Sequence, residues 1–159
     1  MSAILIVSAD PSSVSRIEET LESSGRRVRS VSAAAAAQEW LSMTSFSAVL
    51  VDARFGERSI EKLAELTWNY NPLTLFAVFD FYNEVPYRWD AALLGVLVFC
   101  QPDTPETIIA SIKKVIDNLP PEDTSPGSFP ILVVEDLDSP RAILCSYIET
   151  LGYREVTGV

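Results

Sequence analysis

Histidine is absent from this chain. Histidine-based catalytic triads and histidine-ligated metal centres are therefore excluded together. Only two cysteines occur, Cys100 and Cys145, both inside apolar segments. Two thiols so placed suggest neither a disulfide framework nor a zinc site, and a reducing cytoplasm is the expected setting. Cations are scarce as well: 12 Lys and Arg stand against 22 Asp and Glu, a net charge of −10. Such a balance disfavours phosphodiester backbones, so nucleic acid is not expected as a direct partner. No apolar run is long enough to span a bilayer, the N-terminus lacks a secretory leader pattern, and no membrane partner is expected. Glycine is thin too, with only Gly25, Gly56 and Gly95 before the linker. None of them builds a glycine-rich loop after a strand, which weighs against a flavodoxin-like site for a nucleotide or flavin, although that alternative stays open.

What is present is 48% hydrophobic and 21% charged across 159 residues, a globular composition sized for one domain and a remainder. The stretch Phe46 to Gly56, FSAVLVDARFG, runs apolar residues straight into Asp52. A short continuous apolar run reads as a strand buried on both faces of a parallel sheet. Chemistry in such sheets collects beyond the carboxyl ends of the strands, where Asp52 falls.

The elements follow in alternation. Ala3 to Val7 reads as a strand, followed by a helix capped by Asp10, with Pro11 in its first turn, Val14, Ile17 and Leu21 on one face and Gly25 past its end. Val28 to Val31 is a second strand, and Ser32 is the expected cap of an alanine-rich helix ending near Trp40 and Leu41. After the strand ending at Asp52, Ile60, Leu63, Leu66, Thr67 and Tyr70 mark another helix, closed by Asn71-Pro72. Leu73 to Phe79 is the fourth strand, then a loop and a short helix are expected from about Pro86, and Val96 to Cys100 is the fifth strand. Pro105 opens the last helix, striped by Ile108, Ile109, Ile112, Val115, Ile116 and Leu119. Alternation of this kind predicts an α/β fold, a flavodoxin-like doubly wound five-stranded parallel sheet of order 2-1-3-4-5.

The segment 120–129, PPEDTSPGSF, reads as a linker between a domain at 2–119 and a fragment at 130–159. Beyond it, Ile131 to Val134, ILVV, repeats Ile4 to Val7, ILIV. Ser12, Glu22, Gly25 and Arg27 recur as Ser139, Glu149, Gly152 and Arg154, all at an offset of 127. One strand-helix pair is written twice, a domain length apart, and the second copy stops as its second strand would form. A lone strand and helix bury little, so the apolar stripe Ile143, Leu144, Tyr147, Ile148 and Leu151 is expected to be covered by a second copy of the chain in a homodimer.

These residues together resemble the receiver domains of two-component response regulators: a complete domain to Leu119, and the truncated start of a second receiver from Pro130. The resemblance implies that Asp52 is the phosphoacceptor position at the end of the third strand. It also implies an acidic pair after the first strand that helps to hold Mg²⁺, a Ser or Thr after the fourth strand, and a Lys-Pro after the fifth, joined by a cis bond. In such a site a carboxylate is the nucleophile while Mg²⁺ and a lysine neutralise the transferring phosphoryl group.

At these positions the chain carries Ser8 and Ala9 for the acids, Phe79 (or its neighbour, if the register slips) for the hydroxyl, and Gln101 before Pro102 for the lysine. The usual aromatic of the fifth strand is Val98. No cofactor is expected in the first domain, and the nearest charge to Asp52 is not expected to be a lysine. In the second copy Glu135 and Asp136 stand where the acidic pair belongs, so Mg²⁺ is expected only for a complete second receiver.

The expected function is phosphorelay signal transduction as part of a response regulator or hybrid kinase, with no enzymatic activity of its own. The first domain, a pseudo-receiver, would work mainly through other protein domains such as a sensor kinase or an output domain. The aromatics Tyr82, Tyr87 and Trp89 are candidates for that surface. The alternative within the family is a receiver still phosphorylated at Asp52.

Overall fold

The computed structural model describes residues 3–82, 95–99, 104–119, 131–150, 153 and 155–159. The chain divides into two units, 1–119 and 120–159.

In the first unit, five parallel strands form one sheet: β1 (Ala3–Val7), β2 (Val28–Val31), β3 (Phe46–Asp52), β4 (Leu75–Phe79) and β5 (Leu97–Phe99), in the order β2-β1-β3-β4-β5. Its helices among the described residues are α1 (Pro11–Glu22), α2 (Ala34–Met43), α3 (Glu57–Tyr70) and α4 (Pro105–Asp117). This is the doubly wound α/β fold and strand order that the alternation predicts. The short helix expected from Pro86, with Tyr87 and Trp89, lies outside the described residues, as do Cys100, Gln101 and Pro102.

Alternate residues of the central strands feed two cores. Leu5, Val7, Val49, Val51, Phe76 and Val78 meet Ala37 and Leu41 of α2 and Ile60, Leu63 and Ala64 of α3. Ile4, Ile6, Ala48, Leu50, Ala77 and Phe79 meet Ile17 and Leu21 of α1 and Ile108, Ile112 and Ile116 of α4. Burial on both faces explains why β1 and β3 read as unbroken apolar runs. Each fully buried Leu, Ile or Val contributes about 1.5–3 kcal/mol, so these two layers dominate what holds the unit together.

Local chemistry sets the helix ends. Asp10 caps α1 as expected, its carboxylate accepting from the Ser12 amide at 3.1 Å, with Pro11 at the first helical position. Thr104 caps α4 through the Thr107 amide. The cap of α2 differs from expectation: Ala33, not Ser32, occupies that position and makes no side-chain bond, so α2 is held by packing of Ala37 and Leu41. At β4 the strand starts at Leu75, because Leu73 points into solvent and buried Thr74 spends its hydroxyl on the Phe46 carbonyl at 2.8 Å. On α3 Tyr70 is exposed, while Ala64 and Trp68 join the core; the apolar face simply lies one position around from where its outer residues suggested.

The second unit is a strand-helix-strand piece: β6 (Ile131–Val133), α5 (Asp138–Thr150) and β7 (Val156–Gly158). The second strand expected to be missing is formed, pairing in parallel with β6 from Ile131 opposite Val156 to Val133 opposite Gly158. No residue of α5 is buried, and Ile143, Leu144 and Tyr147 are exposed. Ile148 is half-buried, and Leu151 lies outside the described residues.

Candidate functional site

Register brings the site together. Val7 lies opposite Val51 in the β1–β3 pairing, so the residues that follow them, Ser8 and Asp52, meet at the carboxyl edge of the sheet. Both are buried. Ser8 Oγ donates to Asp52 Oδ2 at 2.7 Å and accepts from the Asp10 amide at 3.1 Å. Directly after Asp52 the chain makes a 3₁₀ turn, Ala53–Phe55, which Asp52 caps by accepting from the Arg54 amide at 3.0 Å. Gly56 closes the turn at φ 78°, a left-handed backbone that glycine adopts without a steric penalty.

That turn folds Arg54 back over the carboxylate. Its Nη2 donates to Asp52 Oδ2 at 2.7 Å and its Nε to Oδ1 at 3.1 Å, a fork-on-carboxylate pairing between residues two apart. The same guanidinium lies 3.4 Å from Asp10 Oδ2 and 5.1 Å from the centre of the Tyr82 ring. Tyr82 completes the ring of contacts by donating its hydroxyl to Asp10 Oδ2 at 3.0 Å. Asp10 thus serves two ends, capping α1 as expected and also facing the site.

Electrostatics follow from these partners. Burial pushes the Asp52 carboxyl up, but the hydrogen bonds from Arg54 and Ser8 outweigh it and hold the pKa below the usual carboxylate value. Asp10 is lowered to about 2, chiefly by the Ser13 hydroxyl and further by the Ser12 amide, Tyr82 and Arg54. Arg54 is pushed up by Asp52. At neutral pH the site holds two carboxylates and one guanidinium, all charged.

The positions that the resemblance singled out fare as follows. Asp52 and Ser8 are adjacent, whereas Ala9 faces solvent. Phe79 lies opposite Asp52 in the β3–β4 register, is buried, and packs on Phe81 with ring centres 5.1 Å apart. One residue along, Asp80 is a buried acid whose amide donates to the Phe99 carbonyl and whose carboxylate accepts from the Tyr82 amide. Gln101 and Pro102 lie outside the described residues. Tyr82, foreseen on an interaction surface, points its hydroxyl into the site. Arg54 was not foreseen; the available signal was its place two residues after an acid, where an Asx turn returns the side chain to the carboxylate.

Mg²⁺, which the resemblance implies, does not fit the donors around Asp52 among the described residues. It wants several open oxygens at about 2.1 Å, whereas both oxygens of Asp52 already accept from Ser8 and Arg54. Among the described residues no group of three or more potential ligands is clustered for a metal. In the second unit Glu135 uses its carboxylate on the Leu137 amide at 3.2 Å, and Asp136 is exposed.

Solved structures that the chain resembles are receiver domains. A CheY-like receiver domain protein from Methanospirillum hungatei JF-1 aligns with 75% of this chain and 96% of its own, at 20% identity and a TM-score of 0.60. A receiver protein from Sinorhizobium medicae WSM419 aligns with 75% and 97%, at 20% identity and a TM-score of 0.59. A response regulator from Thermotoga maritima aligns with 74% of this chain and all of its own, at 20% identity and a TM-score of 0.56. No protein-family model and no curated protein matches the sequence. The fold of the first unit is that of response-regulator receiver domains. No described helix is long and apolar enough to cross a membrane.

Proposed function

We propose that the first unit is a signalling module of two-component systems that acts through protein contacts and has its phosphoacceptor position closed by an internal ion pair. The observation that carries this reading is the saturation of Asp52, whose two oxygens accept from Ser8, from the Arg54 amide and from the Arg54 guanidinium. A nucleophilic carboxylate needs a free lone pair and a cation that moves with the transferring group. Here the cation is tethered two residues away and is bonded to the nucleophile itself. On this reading the site has no catalytic residue and needs no cofactor. Its partners are other protein domains, such as a sensor kinase or an output domain. The second unit, with Glu135 and Asp136 after ILVV, is read as the start of a second receiver, for which Mg²⁺ would matter only when the fold is complete.

Incubation with acetyl phosphate and Mg²⁺, followed by intact-mass measurement and peptide mapping, tests the proposal. The expected result is no phosphoryl adduct at Asp52. A stoichiometric adduct that disappears in Asp52→Asn would overturn it. Binding of a cognate domain should likewise be unchanged by Asp52→Asn.

A further inference from the structure

At the opposite end of the sheet from Asp52, a groove of roughly 600 Å³ opens between the starts of β1, β2 and β3. β3 is seven residues long, which places this groove about 20 Å from the acceptor site at 3.3 Å per residue. Three arginines crowd its rim within four positions, Arg26, Arg27 and Arg29, and Trp40 and Phe46 line it. That is a quarter of the chain's 12 cations, in a protein whose net charge is −10.

None of the three has a salt-bridge partner among the described residues, whereas Arg16, Arg54, Lys113 and Arg141 all do. Two of them are nevertheless held in place. Arg26 donates to the Ile116 carbonyl at 3.0 Å, and the Arg29 guanidinium stacks 3.6 Å from the centre of the Trp40 ring. Arg27 is exposed. At the offset of 127 Arg27 recurs as Arg154, but Arg26 and Arg29 become Tyr153 and Val156, so the cluster is particular to the first unit.

We propose that this groove binds an acidic peptide segment of a partner protein. Guanidinium forks suit carboxylates, and half-buried Trp40 adds an apolar part to the lining beside them. A small phosphate ligand fits less well. Phosphate cradles rely on free backbone amides, yet here the Gly25, Arg26 and Ile4 amides donate to the Glu22, Leu21 and Arg27 carbonyls. Glu22 also lines the groove and would repel a compact anion. An extended peptide can place its acids on the arginines and pass Glu22 by.

The test is a ¹H–¹⁵N titration of the full chain with a blocked Asp-Leu-Glu-Glu-Leu-Asp peptide. Its Asn/Gln counterpart and a single-stranded oligothymidine serve as controls, and the oligomer mass is measured before and after. The Trp40 indole and the amides of residues 25–29 should shift with the acidic peptide and not with the neutral one, and binding should weaken as salt rises. Arg27→Glu, which leaves the Arg29 stack and the Arg26 bond in place, should weaken binding at least tenfold, and Arg27→Lys much less. Equal response to the neutral peptide, shifts elsewhere, or indifference to Arg27→Glu would overturn the proposal. Tighter binding of the oligothymidine would reassign the groove to nucleic acid. A dimer that forms through residues 25–29 without peptide would reassign it to a second copy.

Discussion

Arg54 and Asp52 are two residues apart and form a forked ion pair, Nη2 to Oδ2 at 2.7 Å and Nε to Oδ1 at 3.1 Å. The Asp52 side chain is buried, and that of Arg54 is 33% exposed. One partner is therefore desolvated while the other keeps part of its water. Such an arrangement contributes more than a surface pair and less than a fully buried one. A double-mutant cycle of Asp52→Asn and Arg54→Ala, read by urea unfolding, should give a coupling of about 1–2 kcal/mol. Coupling indistinguishable from zero would mean that solvent screens the pair and that it does not close the site.

Acid should weaken the unit. The Asp52 carboxyl is held below its ordinary value and that of Asp10 is lowered to about 2. Groups depressed in the folded state contribute fully above the unfolded carboxylate value near 4 and lose that contribution as pH falls through the folded one. Urea midpoints should therefore drop between about pH 5 and pH 2. In Arg54→Ala the burial of Asp52 is offset only by Ser8 and the backbone amide, its pKa moves up, and the drop should be shallower. A midpoint that rises on acidification of the wild type would contradict these charge states.

Metal affinity should be gained by changing two residues that close the site, Ser8 and Arg54. With Ser8→Asp and Arg54→Ala together, a second carboxylate enters beside Asp52 and the guanidinium leaves. Addition of 10 mM Mg²⁺, roughly ten times an expected millimolar Kd, should raise the Tm of this variant by about 3–6 °C. The wild-type Tm should not respond. An equal rise in the wild type would show that Arg54 yields to a cation.

Amide exchange should separate the two units. β1 and β3 are buried on both faces, whereas no residue of α5 is buried and Leu132 and Val134 are exposed. Protection of β6 and β7 amides should be at least about 100-fold lower than that of β1 and β3. Equal protection would mean that something covers the second unit in solution.

The sequence determined the layered architecture by itself, because its signals are local. Unbroken runs such as Ile4 to Val7 can be buried only on both faces, and Asp10-Pro11, Pro105 and Gly25 mark helix ends through backbone chemistry a few residues long. The recurrence at an offset of 127 was likewise visible without coordinates, as was the uncharged pair Ser8 and Ala9 after the first strand. What the tertiary structure decided is the state of the site. Ser8 reaches Asp52 only through the register of Val7 against Val51, and Tyr82 reaches Asp10 across 72 positions of sequence. Arg54 lay within two residues of Asp52 throughout, yet an exposed arginine and a clamped one are written identically. The 3₁₀ turn, buried Asp52 and the nearby charge of Asp10 select the clamped form, and those are properties of the folded surroundings.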